Sequence, residues 1–151
     1  MFESLTENQL EQLEQILGRE IPKQYKLFLT LVSNGMHIFH RCLSLFGLQE
    51  YLDRQHGPQG PFDIAIPNTY ERPSNADSSY FFFGSYSYDG SLLYMTDDTD
   101  TVYYCARRDA TPIKAWSSFS DMLIEEIHRL NSIHNTQGIL QFARKKTLPI
   151  S

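Results

Sequence analysis

Residues 80–106 hold three strand-like runs joined by links too short for a crossover. Tyr80, Phe81, Phe82 and Phe83 form a dense apolar run. Asp89-Gly90 follows, a pair that favours a tight turn because both residues tolerate positive φ. Residues 92–95 make the next run, Asp97, Asp98 and Asp100 occupy a polar turn, and residues 101–106 form a β-branched and aromatic run. Parallel neighbours need a connection of a dozen or more residues. The segment therefore predicts an antiparallel meander, with residues 80–83 as a central strand.

Helical patterns flank this meander. Thr6 and Gln9 have the spacing of a capping box, and Leu5 and Leu10 that of a hydrophobic staple. Leu10, Leu13 and Leu17 then form an apolar stripe that Gly18 ends. A second helix begins with Pro22 as its first helical residue, where the missing N–H costs nothing. Tyr25, Phe28, Leu29 and Val32 follow the spacing of one buried face, and Asn34-Gly35 stops the helix. A third starts after Trp116-Ser117, with Ser118 and Asp121 as its cap. Phe119, Met122, Leu123, Ile127 and Leu130 line its inner face. Ile139, Leu140 and Phe142 suggest a short final helix, with Arg144, Lys145 and Lys146 at its exposed end.

Between helices and meander, residues 38–46 read as one strand and residues 49–55 as a short helix broken at Gly57-Pro58. Four prolines between residues 57 and 77 mark that stretch as loop with one strand near 63–66. Helices, meander, helix is the order of an α+β fold. N-terminal helices and a C-terminal helix would pack on one face of a curved, mainly antiparallel sheet. No repeat or linker divides the 151 residues, so one domain is expected over 1–151.

The net charge of −5 opposes direct nucleic-acid binding, which rests on Lys and Arg neutralising phosphates. No apolar run approaches the ~20 residues of a membrane span. Met1-Phe2-Glu3-Ser4 lacks the basic and apolar regions of a signal peptide. Cys42 and Cys105 are too sparse for a disulfide scaffold. A cytoplasmic protein with two thiols is the expectation.

No catalytic motif appears. His37, His40 and Cys42 are the nearest approach to a metal set, but on a strand His37 faces away from the other two. The Asp97–Asp98–Asp100 turn lacks the glycine and terminal glutamate of an EF-hand loop. Gly84-Ser85 and Gly90-Ser91 do not complete G-x-S-x-G. No catalytic residue, metal or cofactor is expected.

The tyrosines of the meander suggest something else. Base-stacking platforms interleave aromatics with Arg and Lys, yet residues 74–106 contain neither. Tyr is enriched at protein interfaces because it gives large contact area at low entropic cost. Tyr86, Tyr88, Asp89, Tyr94, Asp97, Asp98 and Asp100 are therefore the candidate partner-binding residues. Core strands with half-exposed tyrosines would give the same pattern without a function.

The chain also resembles a known family. Ile21-Pro22-Lys23-Gln24-Tyr25-Lys26, Phe28-Leu29 and Asn34-Gly35 are similar to the opening of the SUKH superfamily. That group includes the yeast cell-wall glucan-synthesis regulator and many bacterial immunity proteins. Phe83-Gly84, Asp89-Gly90, the runs with Tyr94 and Tyr103, and Trp116-Ser117-Ser118-Phe119 continue the likeness over about residues 5–131. Members often carry Gly-Asp in the meander, where this chain has Asp89-Gly90. Residues 56–78 and those beyond 131 match nothing in the pattern.

The resemblance implies helices against a curved sheet and no catalytic residues. In bacteria it implies an immunity protein that binds and neutralises a cognate toxin, commonly a nuclease or other toxic enzyme domain. An acidic, Tyr-bearing face suits a basic partner of that kind. Two rivals stand beside it: a regulatory or scaffold module tied to cell-wall synthesis, and a small hydrolase assembled from a His with a Ser or Asp.

Overall fold

Thr6 opens the first helix as its sequence predicts. Its hydroxyl accepts from the Gln9 amide at 3.2 Å, and Gln9 Oε1 accepts from the Thr6 amide at 2.9 Å. Donors that a helix start leaves unpaired are thereby satisfied. Helix α1 spans Glu7–Leu17 and stops at Gly18, whose φ of 67° is left-handed. Leu13 is buried, and Leu10 and Leu17 pack at the margin of the core.

The structure, a computed structural model, describes residues 2–39, 41–49 and 60–142, with 134–142 by backbone alone. Residues 50–55 of the helix expected at 49–55, its Gly57-Pro58 break and the Arg144-Lys145-Lys146 cluster lie outside those residues.

Helix α2 spans Lys23–Leu31, so Pro22 is its N-cap, one place before the expected position. Tyr25, Phe28 and Leu29 are buried. Val32, expected on the same face, is half exposed because the helix has already ended there. The Tyr25 ring packs on Phe28, Phe81, Phe83 and Phe119. Its hydroxyl donates to the carbonyls of Phe46 and Phe83. Burial alone pushes that hydroxyl's pKa well above its ordinary value.

The strand expected at 38–46 is two strands. Strands β1 (Met36–Ile38) and β2 (Leu43–Leu45) form a hairpin, with Met36 opposite Leu45 and Ile38 opposite Leu43. Phe39 and Arg41 turn the chain at φ 49° and 68°. Neither residue type advertises positive φ, so the turn is silent in the sequence. The strand expected at 63–66 is also absent. A single parallel bridge joins Gly47 to Asp63. Asp63 Oδ1 then accepts from the Ala65 amide at 2.9 Å, and the chain enters a π-helical turn over Ile66–Tyr70.

The meander appears as β3 (Phe81–Tyr86), β4 (Leu92–Met95) and β5 (Val102–Ala106), close to the expected bounds. A further strand, β6 (Asp109–Trp116), was not expected. It contains Pro112, and β6 is an edge strand, where a missing N–H is tolerated. The sheet runs β1-β2-β3-β4-β5-β6, each strand antiparallel to the next.

A register shift between Phe82 and Gly84 sets the two faces of the sheet. It leaves Phe81, Phe83 and Tyr86 all in the main core with the helices, while Phe82 joins Leu92, Tyr94, Cys105 and Ala110 on the outer face.

Helix α3 spans Phe119–Phe142 without interruption. Ser118 Oγ accepts from the Asp121 amide at 3.1 Å, as the cap predicts. The separate final helix is instead the continuation of α3, since one interior glycine, Gly138, costs a helix only about 1 kcal/mol. Phe119, Met122 and Leu130 are buried, Leu123 is marginal and Ile127 is 39% exposed. Glu126 takes the inner position instead, fully buried and bridged to Arg129. Among the described residues no helix is long and apolar enough to cross a membrane.

Candidate protein-binding groove

The cross-strand register places His37 opposite Ser44, Ser44 opposite Ser85, and Ser85 opposite Leu92. Directly opposed residues share a face, so these four form a row across the outer side of the sheet. Segment 60–80 folds over that side. Asn68 clasps Phe82, accepting from its amide at 2.8 Å and donating to its carbonyl at 2.7 Å. Arg72 lies 5.4 Å above the Phe82 ring. Tyr80 stacks on Tyr94 with centroids 4.5 Å apart. Asn75 Oδ1 accepts from the Ala110 amide at 2.9 Å.

Where this cover meets the 87–91 turn, a groove of about 640 Å³ remains. Ser85 and Leu92 are in its floor. Phe62, Ile66 and Pro67 form one wall, and Tyr88, Gly90 and Arg107 the other. Phe62, Ile66 and Tyr88 are 41%, 41% and 45% exposed. Asp63, Glu71 and Asp89 bring carboxylates to the rim. Gly90 has φ 72°, a left-handed conformation that favours glycine, and a Cβ there would displace the flexible Arg107 side chain, whose Cδ would lie at 2.8 Å.

The seven candidate residues separate. Tyr88 and Asp89 stand in the groove wall. Tyr86 also borders the groove, but its side chain is fully buried in the main core, the ring edge-on to Tyr104 at 5.8 Å. Burial first, and the Glu126 charge second, push its hydroxyl's pKa well above the ordinary value. Tyr94 is buried under Tyr80 and donates to the Ala110 carbonyl at 2.8 Å. Burial, then the neighbouring Tyr80, raises its pKa.

Asp97, Asp98 and Asp100 lie at the other end of β4 from the groove. They edge a separate cleft of about 820 Å³ that also carries Arg19, Lys23 and Lys26. Asp97 is bridged to Arg19, and the Asp100 carbonyl accepts from Gln24 Nε2 at 3.0 Å. With Glu20, four acids in that cleft meet three cations. Sequence reasoning missed Phe62, Asp63, Ile66 and Glu71. The only signal was apolar residues beside prolines, Pro61-Phe62 and Ile66-Pro67, in a stretch without period.

His37 Nδ1 lies 2.9 Å from Ser44 Oγ. This pair is poorly built as an activated nucleophile. Ser44 is 1% exposed, and His37 Nε2 is buried with no hydrogen-bond partner among the described residues, where a triad would place an orienting acid. The His37 ring is instead held edge-on between Phe2 and Phe62 at 5.5 and 4.7 Å. His40 and His56 lie outside the described residues, as does the side chain of His134. Among the described residues no group of three or more His, Cys, Asp or Glu side chains is arranged to hold a metal ion. Cys42 and Cys105 are buried on opposite faces of the sheet and form no disulfide with each other. Burial, then Asp109, pushes the Cys105 thiol up to about 12.

A family model described as the SMI1 / KNR4 family (SUKH-1) matches residues 4–125. The chain belongs to that family. No curated protein matches it. The SUKH-1 match includes every groove residue and runs from the approach to α1 into the first turns of α3. The motif that resembled SUKH proteins is scaffold in this member: Tyr25 ties α2 to Phe46, just after β2, and to β3, and Asn34 fixes the exit of α2 on Leu48.

Proposed function

We propose that this SUKH-1 chain is an immunity-type protein that binds a toxin, a nuclease or other toxic enzyme domain, and neutralises it by stoichiometric binding. The observation that carries the reading is the outer-face groove, where exposed Phe62, Ile66 and Tyr88 meet an acidic rim. Hot spots of protein interfaces combine such aromatic anchors with a surrounding polar rim. Whole interfaces bury about 800 Å² per partner, so the groove would be the centre of a larger contact. The net charge of −5 would speed encounter with a basic toxin. On this reading the chain acts in the cytoplasm as one domain and performs no catalysis.

The test is co-expression with the toxin domain encoded beside its gene. Rescue of growth and a one-to-one complex in gel filtration are expected. A toxin that is neither bound nor neutralised overturns the reading. So does capture of cell-wall synthesis proteins in its place.

A further inference from the structure

We propose that the groove takes a protruding basic loop of the partner, one that carries a lysine or arginine beside an apolar side chain. This rests on the reading that the groove docks a protein. Three carboxylates, Asp63, Glu71 and Asp89, share the groove with one guanidinium, Arg107. Among the described residues none of the three carboxylates is in an ion pair. The cleft around Asp97 is more nearly neutral: its four acids meet Arg19, Lys23 and Lys26, and Asp97 is bridged to Arg19.

Two of the groove acids are held in place by the backbone. Asp63 Oδ1 accepts from the Ala65 amide at 2.9 Å, and Asp89 Oδ1 from the Ser91 amide at 3.0 Å. One oxygen of each is thus anchored, which fixes where the other can meet an incoming cation. Beside them lie apolar surfaces that a cation alone would not cover. Arg41 already sits 5.9 Å from the Phe62 centroid. Tyr88, 45% exposed, is the ring available for a partner's cation. Ile66, Pro67 and Leu92 offer contact to an aliphatic neighbour. An acidic loop or a nucleic-acid phosphate would meet like charge here.

The test uses the full chain labelled with ¹⁵N and a capped hexapeptide of alternating arginine and leucine. Two further peptides carry glutamate for arginine, or serine for leucine. The arginine–leucine peptide should shift the amides of segments 62–71 and 85–92, more weakly as salt rises, and the other two should shift them far less. Glu71→Lys and Tyr88→Ser should each weaken binding about tenfold or more, while Asp98→Lys, in the other cleft, should not. Equal shifts with the glutamate peptide, shifts centred on residues 96–100, or unchanged binding by Glu71→Lys overturn the proposal.

The toxin gives a second reading of the same variants. If the toxin is neutralised equally by wild type, Glu71→Lys and Tyr88→Ser, the groove assignment fails and the immunity role stands. If the peptides discriminate but no toxin is bound, the immunity role fails and the groove chemistry stands.

Discussion

Asn34 and Leu48 exchange two hydrogen bonds: Asn34 Oδ1 accepts from the Leu48 amide at 2.7 Å, and Asn34 Nδ2 donates to the Leu48 carbonyl at 2.8 Å. Leu48 follows β2 and is 5% exposed, so its backbone has little access to water. A side-chain amide thus does the work of a strand at the point where the sheet ends. Asn68 does the same for Phe82 across the outer face.

Removing this clasp should be costly. Asn34→Ala leaves a buried donor and acceptor of Leu48 unmatched, at about 1–3 kcal/mol for each such group. Asn34→Asp keeps the acceptor and loses the donor, so it should fall between Ala and wild type. Urea denaturation followed by tryptophan fluorescence measures both. An unchanged midpoint for Asn34→Ala removes the clasp from the account of stability.

The glycine beside the clasp is equally constrained. A Cβ on Gly47 would lie 2.3 Å from Asn34 Oδ1 and 2.7 Å from the Asn34 carbonyl oxygen. The second of these is backbone and cannot rotate away. Gly47→Ala should therefore destabilise by more than the 1–3 kcal/mol typical of overpacking. Gly18→Ala is the comparison, because that Cβ meets nothing within 4 Å and carries only the strain of φ +67°, about 1–2 kcal/mol. Equal losses for the two substitutions would contradict this ranking.

Buried Glu126 is the largest departure from the sequence pattern on α3. Its carboxylate is fully buried and bridged to Arg129, and it lies near the buried hydroxyl of Tyr86, which makes no well-formed hydrogen bond of its own. Breaking such a pair leaves one charge uncompensated, whereas replacing both members with apolar residues is often neutral. Glu126→Ala should cost about 3–5 kcal/mol, and the double replacement Glu126→Leu with Arg129→Leu should recover most of it. Thermal melts of the three variants check this. A double variant as weak as the single one would mean that the carboxylate serves Tyr86 more than Arg129.

What the sequence made legible follows from which signals are local. Caps, staples and turn dipeptides act over a few residues, so Thr6–Gln9, Ser118–Asp121 and Asp89-Gly90 could be read directly. The hairpin at Phe39 and Arg41 could not, because tertiary packing imposes positive φ on residues that do not seek it. Strand β6 carries Pro112, which its edge position permits, and no turn dipeptide announces it. The same limit applied to the groove. Tyr88 and Asp89 were visible in the Tyr-rich meander, but their partners Phe62 and Glu71 arrive from a segment without period. Alternation parity would place Tyr86 and Tyr94 on a face, yet only the bulge in β3 and the cover of segment 60–80 decide that both are buried.

Stability should also depend on pH through His37. Burial lowers its pKa below the ordinary 6.5, Arg41 and the N-terminus lower it further, and the Gly60 backbone opposes them. The unfolded chain therefore binds a proton at a higher pH than the folded one. The contribution of neutral His37 is present above about pH 6.5 and is lost as pH falls through the lower folded value. Protonation places a charge between the Phe2 and Phe62 rings. Loss should begin there, with the N-terminal residues and the Phe62 wall of the groove. Proton NMR of the His37 ring should give a pKa below 6.5, and hydrogen exchange at residues 60–64 should accelerate between pH 6.5 and 5. His37→Phe should remove most of that acceleration. A His37 that titrates at or above 6.5, or a His37→Phe variant with the same pH profile as wild type, would place the acid sensitivity elsewhere.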